Sequence, residues 1–248
     1  MSTATVFQDP NADFSAAFAA AGVDAPLLAD FDLLPQTGLR AVYEFRETSG
    51  AVLADYFAAG DVARNAATTG VTFDGTKGTL AAGVGNKIAL PIAATASFEF
   101  TFLARLLAGP DGMLLGPYVT NTLGAYGRTS TGSTGQFILT APGTSAFFAV
   151  AQYAQFTGKW RIVSLSVDAD TRRVSAISDA TIESWATSTT AITAAPGNFT
   201  IGSNGTIAAP NLDLALMTVH DRRLSSAERD LNFKFFRQVA ADKGLTIG

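Results

Sequence analysis

Cysteine is absent from the 248 residues, and histidine occurs once. The first absence excludes a disulfide scaffold, a thiolate metal site and a cysteine nucleophile. With one histidine and acids scattered along the chain, no converging ligand set stands out, and neither a metal nor a cofactor is expected. Charge is also sparse. Asp, Glu, Lys and Arg make up 15% of the chain, the formal net charge is −4, and no basic run occurs, so nucleic acid is not an expected partner. No stretch approaches the roughly 18 apolar residues that cross a bilayer, and membrane insertion is not expected. The opening residues, Met1 to Asp9, carry neither the basic region nor the apolar run of a signal peptide. The chain is therefore read as soluble.

What is abundant is apolar and small. Hydrophobic residues make up 48% of the chain, with 23 Gly and 18 Phe, a composition that buries a core rather than staying disordered. From Leu39 onward short apolar runs alternate with Gly, Pro, Asn and Thr. Residues 40–46, 71–73, 97–105, 113–116, 135–140, 146–151, 160–167, 173–178, 198–202 and 212–219 read as strands. In the third of these Phe98, Phe100 and Phe102 share one face, and Glu99 and Thr101 share the other. Many short strands without a strand–helix–strand rhythm predict an all-β, two-sheet antiparallel sandwich. Residues 121–135, the most polar stretch, are expected to be a projecting loop.

Two helices are expected. Asn11 to Gly22 reads as a short one, with Phe14 and Phe18 four apart on one face. Near the end, Ser225 and Glu228 stand at the spacing of a capping box. Ala227, Leu231, Phe235 and Val239 form a stripe expected to face the core, and Lys243 and Gly244 mark the stop. Residues 1–38 are thus set apart as an N-terminal arm that could dock or self-associate, and 39–248 as the sandwich domain.

Three stretches carry a resemblance to a known family. They are Val71-Thr-Phe-Asp-Gly-Thr, the unit from Gly158-Lys-Trp to Asp168 with Thr171-Arg-Arg-Val, and the ending from Ile201-Gly-Ser-Asn-Gly through Leu214 to Asp221-Arg-Arg-Leu-Ser-Ser-Ala-Glu228. Together they resemble concanavalin A-like, laminin-G-like (pentraxin-like) jelly-roll domains of the kind found in phage virion proteins. The resemblance covers roughly residues 39–248 and implies a jelly roll with a terminal helix. Many members hold calcium on rim acids, but here the acids are not clustered, and Ser178-Asp-Ala180 stands where members carry Asp-Gly.

No motif for chemistry is complete. His220 precedes Asp221, but no G-x-S-x-G supplies a nucleophile, and His220 is expected as a surface-to-edge residue. Glu44 and Glu47, three apart on a strand, are not expected to face one side. No pair of carboxylates has the spacing of a glycosidase. The expectation is a non-enzymatic protein with no catalytic residue. The aromatic side chains nearest polar loops, Tyr118, Tyr126, Tyr153 and Trp185, are candidate sugar platforms. Two functions follow. One is a structural component of a phage particle, a decoration, fibre or tail-associated protein. It would be made in the host cytoplasm, use Phe14 and Phe18 for assembly with itself or other virion proteins, and touch host glycans. The alternative is an extracellular carbohydrate-binding adhesion module.

Overall fold

The computed structural model describes residues 33–57, 61–116, 126–130, 136–140, 148–149, 157–168, 171–177, 181–187 and 193–248. The expected helix at 11–22, Phe14, Phe18, Tyr118 and Tyr153 lie outside them. Sixteen strands are found among the described residues: β1 (Leu39–Tyr43), β2 (Val52–Leu53), β3 (Ala66–Thr69), β4 (Val71–Phe73), β5 (Gly78–Leu80), β6 (Lys87–Ala93), β7 (Phe98–Leu106), β8 (Gly112–Gly116), β9 (Tyr126–Ser130), β10 (Gln136–Thr140), β11 (Phe148–Ala149), β12 (Trp160–Asp168), β13 (Thr171–Ile177), β14 (Thr181–Thr187), β15 (Asn198–Gly202) and β16 (Leu212–His220). They form two eight-stranded sheets. One runs β14-β13-β12-β7-β16-β5-β4, with β1 beside the second half of β16. The other runs β11-β10-β9-β8-β15-β6-β3-β2. Every pairing is antiparallel apart from isolated bridges. The fold is the expected all-β sandwich with a C-terminal helix, α1 (Ser226–Asp242). The stretch expected to be a projecting loop contains β9, which pairs with its chain neighbours β8 and β10; its Gly and Thr content hid the strand.

Alternation explains the core. Phe98, Phe100 and Phe102 of β7, Val163, Leu165 and Val167 of β12, and Met217 and Val219 of β16 fill the space between the sheets. Phe199 from the opposite sheet meets Phe98 and Phe100 edge-on, at 5.1 and 4.9 Å between ring centroids, the geometry the ring quadrupole favours. Leu216 does not join them as its spacing from Leu214 suggests. A bulge between Leu214 and Leu216 shifts the register against β7 and turns Leu216 to the outer face, into a second cluster with Val42, Leu103, Trp160, Phe233 and Phe236.

Helix α1 covers that outer face, so the face of β7 that carries Glu99 and Thr101 is sealed. Glu99 is fully buried. Its carboxylate accepts from the Ser164 hydroxyl at 2.7 Å and the Leu224 backbone at 2.8 Å. Asn232 donates to Thr101 at 3.0 Å and Thr218 at 3.4 Å. The helix begins as expected, with Ser225 and Glu228 in a complete capping box. Its buried face keeps Phe235 and Val239 of the expected stripe, but Arg229, Asn232, Phe233, Phe236 and Ala240 join them, while Ala227 is exposed and Leu231 is 40% exposed. The i, i+4 stripe drifts off a core seam about one residue away. Replacing Ser225 by alanine should cost about 1 kcal/mol, whereas Leu231→Ala should stay within about 0.5 kcal/mol of the parent. Urea unfolding of both variants checks the assignment, and a Leu231→Ala loss larger than that of Ser225→Ala would restore the expected stripe.

The helix end is clasped to the first strand. Lys243 donates from Nζ to the carbonyls of Glu44 and Thr76, the latter at 2.9 Å. Burial pushes its ammonium down to about 8. Glu44 and Glu47 were not expected on one side, yet both are buried and both act on Lys243. Phe45 between them has a φ of 54°, and this left-handed residue breaks the strand alternation just after β1.

Candidate functional site

The last residues of the expected arm belong to the body. Leu34 is buried in the outer cluster, and the Pro35 carbonyl lies 3.1 Å from His220 Nε2. A carbonyl can only accept, so Nε2 carries the proton and Nδ1 is a bare lone pair. No partner reaches Nδ1. His220 is fully buried rather than at the surface, because β1 pairs with the end of β16 and residues 33–38 pass over it. Burial pushes its imidazole down to about 4, so it is neutral at ordinary pH.

Beside this histidine the sandwich opens into a cleft of about 320 Å³. One wall is the end of the first sheet, with Arg40 from β1 and Val219, His220 and Asp221 at the close of β16. The other is Pro91, Ile92 and Ala93 of β6, Thr95 and Phe199 of β15, and Arg64 sits at the side. Strand β6 lines it beyond Ala89, where its pairing with β3 has ended and Pro91 has no N–H to give to a ladder.

The polar groups of the cleft are held in two ion pairs. Arg40, 55% exposed, donates from Nε to Asp221 Oδ2 at 2.8 Å and from Nη2 to the same oxygen. Arg64 donates from Nε to Asp55 at 3.0 Å and from Nη2 to the Arg40 carbonyl. Asp55 is a buried anchor, and its other oxygen accepts the backbone N–H groups of Val42 and Phe57, both at 3.0 Å. Burial raises its carboxyl, and Arg64 and those N–H groups pull it back down. The Tyr43 hydroxyl, raised by burial, donates to the Arg64 carbonyl at 3.2 Å. Arg64 is thus fixed from three sides, while Arg40 and Asp221 stand at the mouth. The arrangement can donate and accept hydrogen bonds next to an apolar wall. Among the described residues no group of three or more His, Cys, Asp or Glu could hold a metal ion.

The aromatic residues singled out in the sequence are elsewhere. Trp185 belongs to β14, opposite Arg173 on the edge of one sheet, and Tyr126 opens β9 of the other, opposite Thr140. Sequence inspection missed Arg40 and Arg64. Residues 40, 64, 92 and 221 have no common motif, and the only signal was the Asp221-Arg222 pair that closes the last strand.

No family model matches the chain, and no curated protein matches it in sequence. Its fold does have solved counterparts. A Trypanosoma rangeli sialidase in complex with sialic acid matches with a TM-score of 0.58 and 14% identity, over 84% of this chain and 34% of the sialidase. The same organism's sialidase in complex with the inhibitor DANA gives 0.60 and 15%, over 81% and 33%. A structure of botulinum neurotoxin type C, whose cell entry depends on interaction with two ganglioside molecules, gives 0.53 and 12%, over 81% and 51%. The chain therefore spans about a third of the sialidases' length and about half of the neurotoxin chain. At this identity the likeness shows a shared β-sandwich fold.

This comparison corrects the expectation of a non-enzymatic protein. The similar structures include enzymes, and the match covers only a third of each. Missing catalytic motifs within such a stretch do not decide whether the protein it serves is an enzyme, because function is set by sites rather than by the fold. Neither the sialidase nor the neurotoxin is a virion protein.

Proposed function

We propose that this chain is a carbohydrate-binding β-sandwich domain whose contact site is the cleft between β1, β6 and the end of β16. The observation that carries it is the Arg40–Asp221 pair at the mouth of a concave, apolar-walled site. A few convergent polar groups on an apolar surface are the usual make-up of a small-molecule site. A sugar also presents both kinds of surface, hydroxyls on its rim and C–H groups on its faces. Sialic acid and gangliosides, the ligands named for structures of similar fold, belong to the same chemical class. This favours the adhesion alternative over the phage-particle role. Assembly through Phe14 and Phe18 has no support beyond their spacing in the sequence.

The cleft can be blocked without touching its charges. Ala93 is exposed on its wall, and Ala93→Trp would fill the space. On a glycan array the parent chain should bind a subset of glycans, and Ala93→Trp should weaken that binding at least tenfold with an unchanged melting temperature. Binding that survives the substitution would move the site elsewhere, and an array with no bound glycan would end the carbohydrate assignment.

A further inference from the structure

We propose that the cleft selects an uncharged sugar and discriminates against acidic ones. This rests on the glycan-binding assignment above and deepens it. Two guanidinium groups beside a site suggest an anionic ligand at first sight, but each already has its counter-charge. Arg40 is matched by Asp221 and Arg64 by Asp55. The next cation on this rim, Arg222, is matched by Glu228, with Nη1 3.0 Å from Oε2. His220 adds no charge, since burial holds its imidazole neutral down to about pH 4.

A carboxylate or sulfate entering the cleft would lose water without meeting an unmatched cation, and it would lie beside the Asp221 carboxylate. Desolvating an ion is repaid only by good pairing, so the site repels what its arginines alone would attract. Hydroxyl groups fare differently, because each can donate and accept at once. Arg40 and Arg64 each use Nε and Nη2 and keep Nη1, and Asp221 uses Oδ2 and keeps Oδ1. A sugar hydroxyl can donate to Asp221 Oδ1 while accepting from an arginine Nη1, leaving both ion pairs intact. Pro91 and Ile92 supply the apolar side for the ring's C–H groups. A cleft of about 320 Å³ is at the small end of ligand sites and suits a terminal ring rather than a long chain.

The test uses an array that carries uncharged oligosaccharides beside sialylated, sulfated and uronic ones, with lactose and 3′-sialyllactose as the matched pair for titration calorimetry. The full chain should bind uncharged glycans at least tenfold better than their acidic counterparts. Asp221→Asn removes the counter-charge of Arg40. It should lose about tenfold on uncharged glycans and gain on acidic ones, reversing the preference. Arg40→Gln should weaken uncharged binding without that gain, and thermal melts establish that both variants are folded. Tighter binding of acidic glycans by the parent chain, or an Asp221→Asn variant with unchanged preference, would overturn the charge-matching proposal and leave glycan binding standing. No binding to any arrayed glycan would overturn both.

Discussion

Replacing Gly112 by alanine should destabilise the protein by about 3 kcal/mol or more, at the severe end for a single methyl group. A Cβ at this position would stand 2.3 Å from the Pro210 nitrogen, 2.6 Å from the Ala209 carbonyl carbon and 2.9 Å from the Ala208 oxygen. All three are backbone atoms, so no side chain can swing aside. The approach is close because the start of β8 runs against the connection from β15 to β16, where Met113 donates to the Ala208 carbonyl at 2.9 Å. Backbone freedom is not the reason for this glycine. Gly50, by contrast, has a φ of +102° with open space around it, and its alanine variant should cost only about 1–2 kcal/mol of backbone strain. Denaturant midpoints of the two variants measured side by side give the answer. Equal losses would mean that the two backbone segments are not in contact.

The second large effect is a loss of stability in mild acid. His220 sits near 4 in the folded protein, against an ordinary value of 6.5. Between those values the unfolded chain takes up a proton that the folded one refuses. Folding stability is therefore unaffected by this group above about pH 6.5 and falls as the pH drops towards 4. Each unit is worth about 1.4 kcal/mol, so the full loss is about 3 kcal/mol. Glu47 and Asp55 are raised by burial and pull in the opposite direction over the acidic range, gaining stability as they protonate. The comparison is therefore made against His220→Gln, which keeps a side-chain donor for the Pro35 carbonyl and does not titrate. The parent should lose about 3 kcal/mol more than the variant between pH 6.5 and 4. Parallel curves would show that the imidazole is hydrated in the folded state. This dependence also replaces the expectation that the position is a tolerant surface-to-edge residue.

The sheets were legible in the sequence because their inner faces obey a period of two. Phe98, Phe100 and Phe102, or the run from Trp160 to Val167, need no partner to be recognised. The capping box was legible for the same reason, since Ser225 and Glu228 are local. What escaped depends on which surface comes to lie against another. Glu99 and Thr101 look solvent-facing until α1 covers them, and the α1 face with Asn232 and Arg229 inward is chosen by the polar residues beneath it. Strand β6 was hidden by Pro91, and β9 by its small polar residues. The cleft was the least legible feature. Its two arginines owe their positions to Asp221 and Asp55, which are 181 and 9 residues away, and no spacing rule connects them.

The pairing of β1 with β16 has a consequence for biosynthesis. Leu39 lies opposite His220, Lys243 reaches back to Glu44, and Ile247 bridges to Trp160. Among the described residues, strand β16 is also what links β7 to the β5–β4 hairpin in its sheet. Until it leaves the ribosome the first sheet exists as three separated pieces, β1, the β5–β4 hairpin and the strands β7, β12, β13 and β14, each with a bare edge open to other chains. At about 5–20 residues per second, that exposure lasts on the order of ten seconds or more for every molecule made. Such non-local closure is slow even after release. The nascent chain is therefore a natural client for chaperones that shield strand edges, and stalling translation before residue 212 should yield aggregates rather than a smaller folded domain.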